Sequence, residues 1–191
     1  MINAGTRTLG SYGSQPRSAN IQTASGAIFD VSLSYNIPYT NSSALSGSGN
    51  VNGSVYAAAG AKIYGGTDGT YGTNTFNNDL TLASGASGYL DLGASATGNN
   101  DQIVVNGTLT ANGNSIHIKA PNTAGNLGAA DYVLITAANA IAGSFASAPV
   151  WDVAPANAGH YSVVTSGNTV TLHYNAAVSG PIFTSASASP S

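Results

Sequence analysis

LTLASGASGYLDL (residues 80–92) reads as strand, small-residue corner, strand, and this reading decides the fold. Leu80 and Leu82 alternate with a polar neighbour, as do Leu90 and Leu92, and a period of two puts each pair on one face of a pleated strand. Gly85 stands at the corner between them, where a tight bend calls for positive φ. The same sentence occurs in NIQTASGAIFDV (20–31), SVYAAAGAKIY (54–64) and TLTANGNSIHIK (108–119). The corner glycines Gly26, Gly60, Gly85 and Gly113 are 34, 25 and 28 positions apart. Repeats of roughly 20 to 45 residues point to a solenoid, in which each unit buries its apolar face only by stacking on the next. The uneven spacing predicts insertions between coils, with GGTDGTYGTN (65–74) and NTAGNLGAA (122–130) as candidates.

Alternation recurs elsewhere. From Phe29 to Tyr39 every second residue is large and apolar, which predicts one strand, with Pro38 marking where pairing stops or an edge begins. Ile116 and Ile118 alternate with Ser115, His117 and Lys119; Val170, Leu172 and Tyr174 alternate with Thr169, Thr171 and His173. No 3.6-residue apolar stripe persists beyond a turn or two, Glu is absent, and Lys and Arg are scarce, so the chain is all-β. The expected architecture is a right-handed parallel β-helix. The alternative is an antiparallel β-sandwich or jelly roll, because Asn-Gly pairs at 52–53, 106–107 and 112–113 suit two-residue hairpins.

The run NDLTLASGASGYLDLGASATGNNDQIVVNGTLTANGNSIHIKA (78–120) resembles the autotransporter-associated β-strand repeat of bacterial secreted passenger domains. It is carried by the LTLASGA strand and corner, the DQIVVNGTLT step (101–110) and the glycine corner that follows. ADYVLITAANAIAGSFAS (130–147) and HYSVVTSGNTVTLHY (160–174) resemble the way such regions close, so the likeness spans roughly 45–175. It implies a secreted or surface-displayed, adhesive or structural protein without catalysis, and it brings no catalytic residues. Such passengers end in a membrane barrel or a sorting tail and follow an export signal. Neither a tail of that kind nor a signal is seen here, which makes the chain a mature or excised piece of a secreted protein.

Composition narrows the function. Charged residues are 6% of 191, with four cations (Arg7, Arg17, Lys62, Lys119), too few to neutralise a nucleic-acid backbone. Cysteine is absent, which excludes disulfides, thiolate metal sites and thiol nucleophiles. No run of about 18 apolar residues exists to span a membrane. No cofactor is expected.

The residues that carry chemistry elsewhere have simpler readings here. Asp91 and Asp101 flank a Gly/Asn loop and have the types of a glycosidase pair, with Asp79 as a third member in a carbohydrate-active enzyme; each reads more simply as a turn former. GGTDGTYG (65–72) has one glycine–aspartate step of a calcium repeat and lacks the second. His117, His160 and His173 sit at no local ligand spacing and beside no acid, although His117 and His173 share the polar side of their strands and could be neighbours. Trp151, in PVWDVAP, reads as an anchor closing the last coil, and Asn41, Asn52 and Asn106 are sequons of use only in a glycosylating host. Thr-x-Thr at 6–8, 108–110 and 169–171 would bind ice only if stacked in register.

The division expected is an N-terminal extended segment (1–20), a solenoid (21–175) and a C-terminal extended tail (176–191). With a net charge of −3, little repulsion separates copies. The tail AAVSGPIFTSASASPS carries Ile182 and Phe183, which become the candidate assembly residues: the tail adds as a strand to the next copy's edge, and the contact propagates head to tail. The leading expectation is therefore a non-enzymatic extracellular fibre or surface-layer subunit whose partner is itself. The second is a monomeric adhesin fragment that binds glycans through a Ser/Thr/Asn/Tyr face.

Overall fold

A computed structural model describes residues 1–10, 19–34, 38–121 and 125–176. It is all-β, with 52% of residues in strands, and a single 3-10 turn at Ala158–His160 is the sole named helical element among the described residues.

The strands fall into three stacks. The first holds β1 (Thr6–Thr8), β3 (Ile28–Asp30), β6 (Asn50–Asn52), β9 (Thr73–Phe76), β12 (Gln102–Val105) and β14 (Tyr132–Ala137). The second holds β4 (Tyr39–Asn41), β7 (Val55–Ala57), β10 (Leu80–Leu82), the first part of β13 (Leu109–Lys119) and β15 (Ala142–Phe145). The third holds β2 (Asn20–Thr23), β5 (Ala44–Gly47), β8 (Lys62–Tyr64), β11 (Ser87–Asp91), the second part of β13, and β16 (Val150–Val153). From β3 onward the chain visits first, second and third stack in turn, so β3-β4-β5, β6-β7-β8 and β9-β10-β11 are successive circuits. Every pairing among β1–β16 is parallel.

The register builds columns. Phe29, Val51, Phe76, Val105 and Ala137 are successive partners in the first stack, and all are buried. Tyr39, Val55, Leu80 and Leu109 form the column of the second stack, and Ile21, Leu45 and Ile63 that of the third. Because the side-chain period is two, one in-register face supplies the whole core. Polar side chains stack too. Asn77 Nδ2 donates to Asn52 Oδ1 at 2.7 Å, and Asn106 Nδ2 donates to Asn77 Oδ1 at 3.0 Å.

Parallel pairing overturns the hairpin reading of the three Asn-Gly pairs: the strands on either side of each lie in different stacks, or are two parts of β13, and never pair with each other. All four corner glycines have positive φ, +70° to +86°. They are nevertheless not equivalent. Gly60, Gly85 and Gly113 turn the chain from second to third stack, whereas Gly26 turns it from third to first. The interval of 34 therefore mixes two corners, and 25 and 28 are the lengths of single circuits.

Phe29–Tyr39 is not one strand. Asp30 Oδ1 accepts Ser32 N–H at 3.0 Å and Ser32 Oγ at 2.7 Å, and Ser34 N–H donates to Val31 O, which bends the chain and leaves Leu33 62% exposed. Tyr35 and Ile37 lie outside the described residues, and Pro38 directly precedes β4, the edge of the second stack. Segment 1–20 contributes β1, which pairs with β3, and Leu9, which is buried in the core.

β14 continues into β18 (Thr169–Tyr174) and β17 (Tyr161–Ser166), both antiparallel additions. β17 reaches across the end of the core: Val163 N–H donates to Ser147 O, and Phe145 N–H donates to Thr165 Oγ1. Tyr161 meets Tyr132, Trp151 and Tyr174 edge-on at 5.3–6.3 Å, so Trp151 does anchor the last circuit.

Candidate functional site

Ile182 and Phe183, with the tail from 177, lie outside the described residues. The other residues with functional readings are dispersed, and one face gathers what remains.

Asp79, Asp91 and Asp101 do not meet at one place. Asp79 stands between first and second stack, where its Oδ1 accepts Thr108 N–H at 2.7 Å from the next circuit. Asp101 stands between third and first stack and is 1% exposed. Its Oδ1 accepts Gly72 N–H at 2.8 Å and its Oδ2 accepts Asp91 N–H at 3.0 Å. Burial pushes its carboxyl up to about 7 against the lowering effect of N–H groups from Asp91, Gly72 and Gly66. A carboxylate occupied by backbone donors at a loop base is a staple for that loop.

The histidines are separate from one another and two of them have acids beside them, which the chain order hides. His117 Nδ1 lies 2.9 Å from Asp152, and His173 Nδ1 lies 3.0 Å from Asp131. His117 is in the third stack and His173 in the closing hairpin, so they are not neighbours. Among the described residues no group of three or more His or Asp is placed to hold a metal. The Thr-x-Thr triplets lie in β1, at the start of β13 and in β18, and form no row.

The outer face of the third stack is different. Tyr64, Tyr89 and His117 are successive register partners, and their rings stack with centroids 4.8 and 4.3 Å apart and planes 23° and 18° from parallel. That spacing is the distance between neighbouring strands, so the ladder follows from placing rings at one register position of adjacent circuits. Lys62 Nζ lies 5.1 Å from the Tyr89 ring centre.

The loop 65–72, one of the expected insertions, walls this face. Thr67 Oγ1 accepts Gln22 Nε2 at 3.0 Å from β2, Asp68 takes Lys119 Nζ at 2.9 Å from β13, and Asp91 accepts Gly69 N–H. Asp101 holds the loop's base. Two of the three described cations (Lys62, Lys119) and three of the seven aspartates (Asp68, Asp91, Asp152) therefore surround one aromatic ladder in a chain otherwise almost uncharged. A depression of about 190 Å³ lies among them, and another of about 410 Å³ lies beside Tyr64 toward β5 and β2.

The electrostatics are mutual. The Asp68 carboxylate holds the Lys119 ammonium above its usual range, and burial raises Asp91 despite Gly69 N–H and Lys119. Tyr64 is raised by burial first, then by Tyr89 and by Asp68, Asp152 and Asp91. The face thus offers ring surface, acceptors and donors together, a combination suited to a hydroxyl-rich ligand rather than to an ion.

Sequence reading missed this face. Its one legible signal was the K-x-Y and Y-x-D pattern flanking the shared glycine corners (Lys62, Tyr64; Tyr89, Asp91), continued by His117 and Lys119. No protein-family model, curated protein or solved structure matches the chain. Among the described residues no helix is long and apolar enough to cross a membrane.

Proposed function

We propose that the chain is a non-enzymatic extracellular structural unit, a right-handed parallel β-helix of the autotransporter-associated repeat kind, that joins copies of itself head to tail by strand addition. The observation that carries this reading is the inequality of the two ends. One end is closed by β17, β18 and the Tyr161 cluster. At the other, β1 and β4 are terminal strands of their sheets, and Thr6, Arg7 and Thr8 are all exposed.

β4 shows what the open end offers. Tyr39 N–H donates to Ser54 O and Asn41 C=O accepts Ala58 N–H, so both residues face β7. The intervening Thr40 therefore points its N–H and C=O away from β7, as alternation in a parallel ladder requires. An edge of that kind accepts an added strand. The tail after β18 leaves the closed end of one copy and supplies such a strand, with Ile182 and Phe183 as its apolar pair. A capped end and an open end give a polar, non-closing contact.

The test pairs two variants. Deleting 177–191 removes the donor strand, and Thr40→Pro removes an outward N–H while sparing the ladder to β7. Both are expected to remain folded by circular dichroism and to lose assembly. Fibres from either variant overturn strand addition at these sites.

A further inference from the structure

The aromatic ladder ends at Tyr64, and a depression of about 410 Å³ begins there. Ring stacking runs across the strands, so one face of Tyr64 is covered by Tyr89 at 4.8 Å. In the opposite direction the neighbouring strand is β5, where Ala44 pairs with Lys62 and Leu45 with Ile63; the next residue, Ser46, is buried with its hydroxyl on Asn20 Oδ1, and among the described residues no second ring stacks on Tyr64. The small residues Ala19, Ser43 and Ala44 leave the open space beside Tyr64.

The lining is amphipathic. Ala44 and Gly60 give a smooth floor, Tyr64 gives a ring wall, and Lys62, Thr67 and Asp68 give donors and acceptors at the rim. The loop that carries Thr67 and Asp68 is fixed at both ends of the site, by Gln22 on one side and Lys119 on the other. Its base is fixed by Asp101, so the rim is preorganised, which limits the ordering cost of binding.

These features select a ligand. A phosphate or other anion is disfavoured, since Lys119 is paired with Asp68 and three carboxylates surround the face. A purely apolar ligand would take the Lys62 ammonium and the polar rim of Thr67 and Asp68 out of water with nothing in return. A sugar ring has an apolar C–H side for Tyr64 and hydroxyls that both donate to Asp68 and accept from Lys62 and Thr67. We infer that the depression bordered by Tyr64, Lys62, Thr67 and Asp68 is a carbohydrate subsite that seats a pyranose of a neutral glycan against the Tyr64 ring. The smaller depression among Tyr89, Asp91, His117 and Asp152 continues it along the stack, so the site accepts a chain rather than a single sugar.

This site stands apart from strand addition: it lies on a side of the third stack and touches the terminal strand β2 through Asn20, but neither β1 nor β4. Loss of either property leaves the other intact. The experiment is calorimetric titration of the full chain with cello-, xylo-, manno- and chito-hexaose, followed by variants against whichever binds. Tyr64→Ala and Asp68→Ala are each expected to weaken binding about tenfold or more, while Tyr64→Phe retains it. Tyr56→Ala, an exposed tyrosine on the outer side of the second stack, is expected to leave binding unchanged. Asp68 is an exposed loop residue, so its variant reports on the site even where Tyr64→Ala destabilises the fold. Absence of binding by all four sugars at about 10 mM, or equal losses in Tyr56→Ala and Asp68→Ala, overturns the inference.

Discussion

Asp101 Oδ2 accepts the backbone N–H of Asp91 at 3.0 Å, joining the two ends of the loop between β11 and β12. The same carboxyl reaches down one circuit to Gly72, so one buried acid ties two neighbouring insertions to the edge of the third stack. Gly66 must be glycine for this arrangement, since a Cβ there would lie 2.3 Å from Asp101 Oδ1.

Asp101→Asn tests the staple. An amide offers one acceptor oxygen where the carboxyl offers two, so one backbone N–H loses its partner at a cost of about 1–3 kcal/mol. The pH profile separates this from a generic core defect. The folded-state value, about 7, lies above the unfolded 3.8, so the folded chain holds this proton more tightly. The stabilisation is complete below the unfolded value and is lost as pH rises through about 7. Thermal melts of the native chain should fall across that window, and the slope should flatten in Asp101→Asn.

Gly47 and Gly60 both have positive φ but predict different outcomes. A Cβ at Gly47 (φ +110°) would sit 1.9 Å from Thr23 O in the circuit below, whereas one at Gly60 (φ +82°) meets nothing within 4 Å. Gly47→Ala combines strain with a backbone clash and should cost about 3 kcal/mol or more. Gly60→Ala should cost about 1–2 kcal/mol, the left-handed penalty alone. Chemical denaturation of the two variants measures the difference.

Phe76 is the middle of a five-residue buried column, with Val51 below and Val105 above. Phe76→Ala should destabilise by about 3–5 kcal/mol. Asn77→Ala, one residue on, removes the centre of the asparagine ladder at an exposed position and should cost about 1 kcal/mol. Reversal of that order in denaturant midpoints would contradict the register.

Asp131 holds the closing hairpin through His173 and through Tyr174 N–H at 2.8 Å, and His173 is the first cause of its lowered carboxyl value. A lowered folded-state value gives stability that is present above the unfolded value and lost as pH falls through the folded one. The groups are about half exposed, so Asp131→Asn should change global stability by less than about 1 kcal/mol. Its effect is local: hydrogen exchange at Tyr174 should speed up.

The all-β class, the corner glycines and the buried faces of Leu80–Leu82, Ile116–Ile118 and Val170–Leu172 were readable because alternation and positive φ are local properties. The Phe29–Tyr39 strand was misread because alternation carries no information on a side-chain turn such as that of Asp30. Gly26 was grouped with the wrong corner because a corner's place in a circuit depends on the strands that follow. The Asn52–Asn77–Asn106 ladder had a visible signal in VNGS, FNND and VNGT, at equivalent positions of successive circuits. The Tyr64 face was harder, because Asp68, Asp91, Lys119 and Asp152 converge only once four circuits are stacked.

The most direct test of self-assembly is negative-stain electron microscopy of the purified full chain, with its mass measured by light scattering. Strand addition predicts uniform filaments and a mass that grows with concentration. A monodisperse particle at 18.8 kDa across concentrations would contradict it.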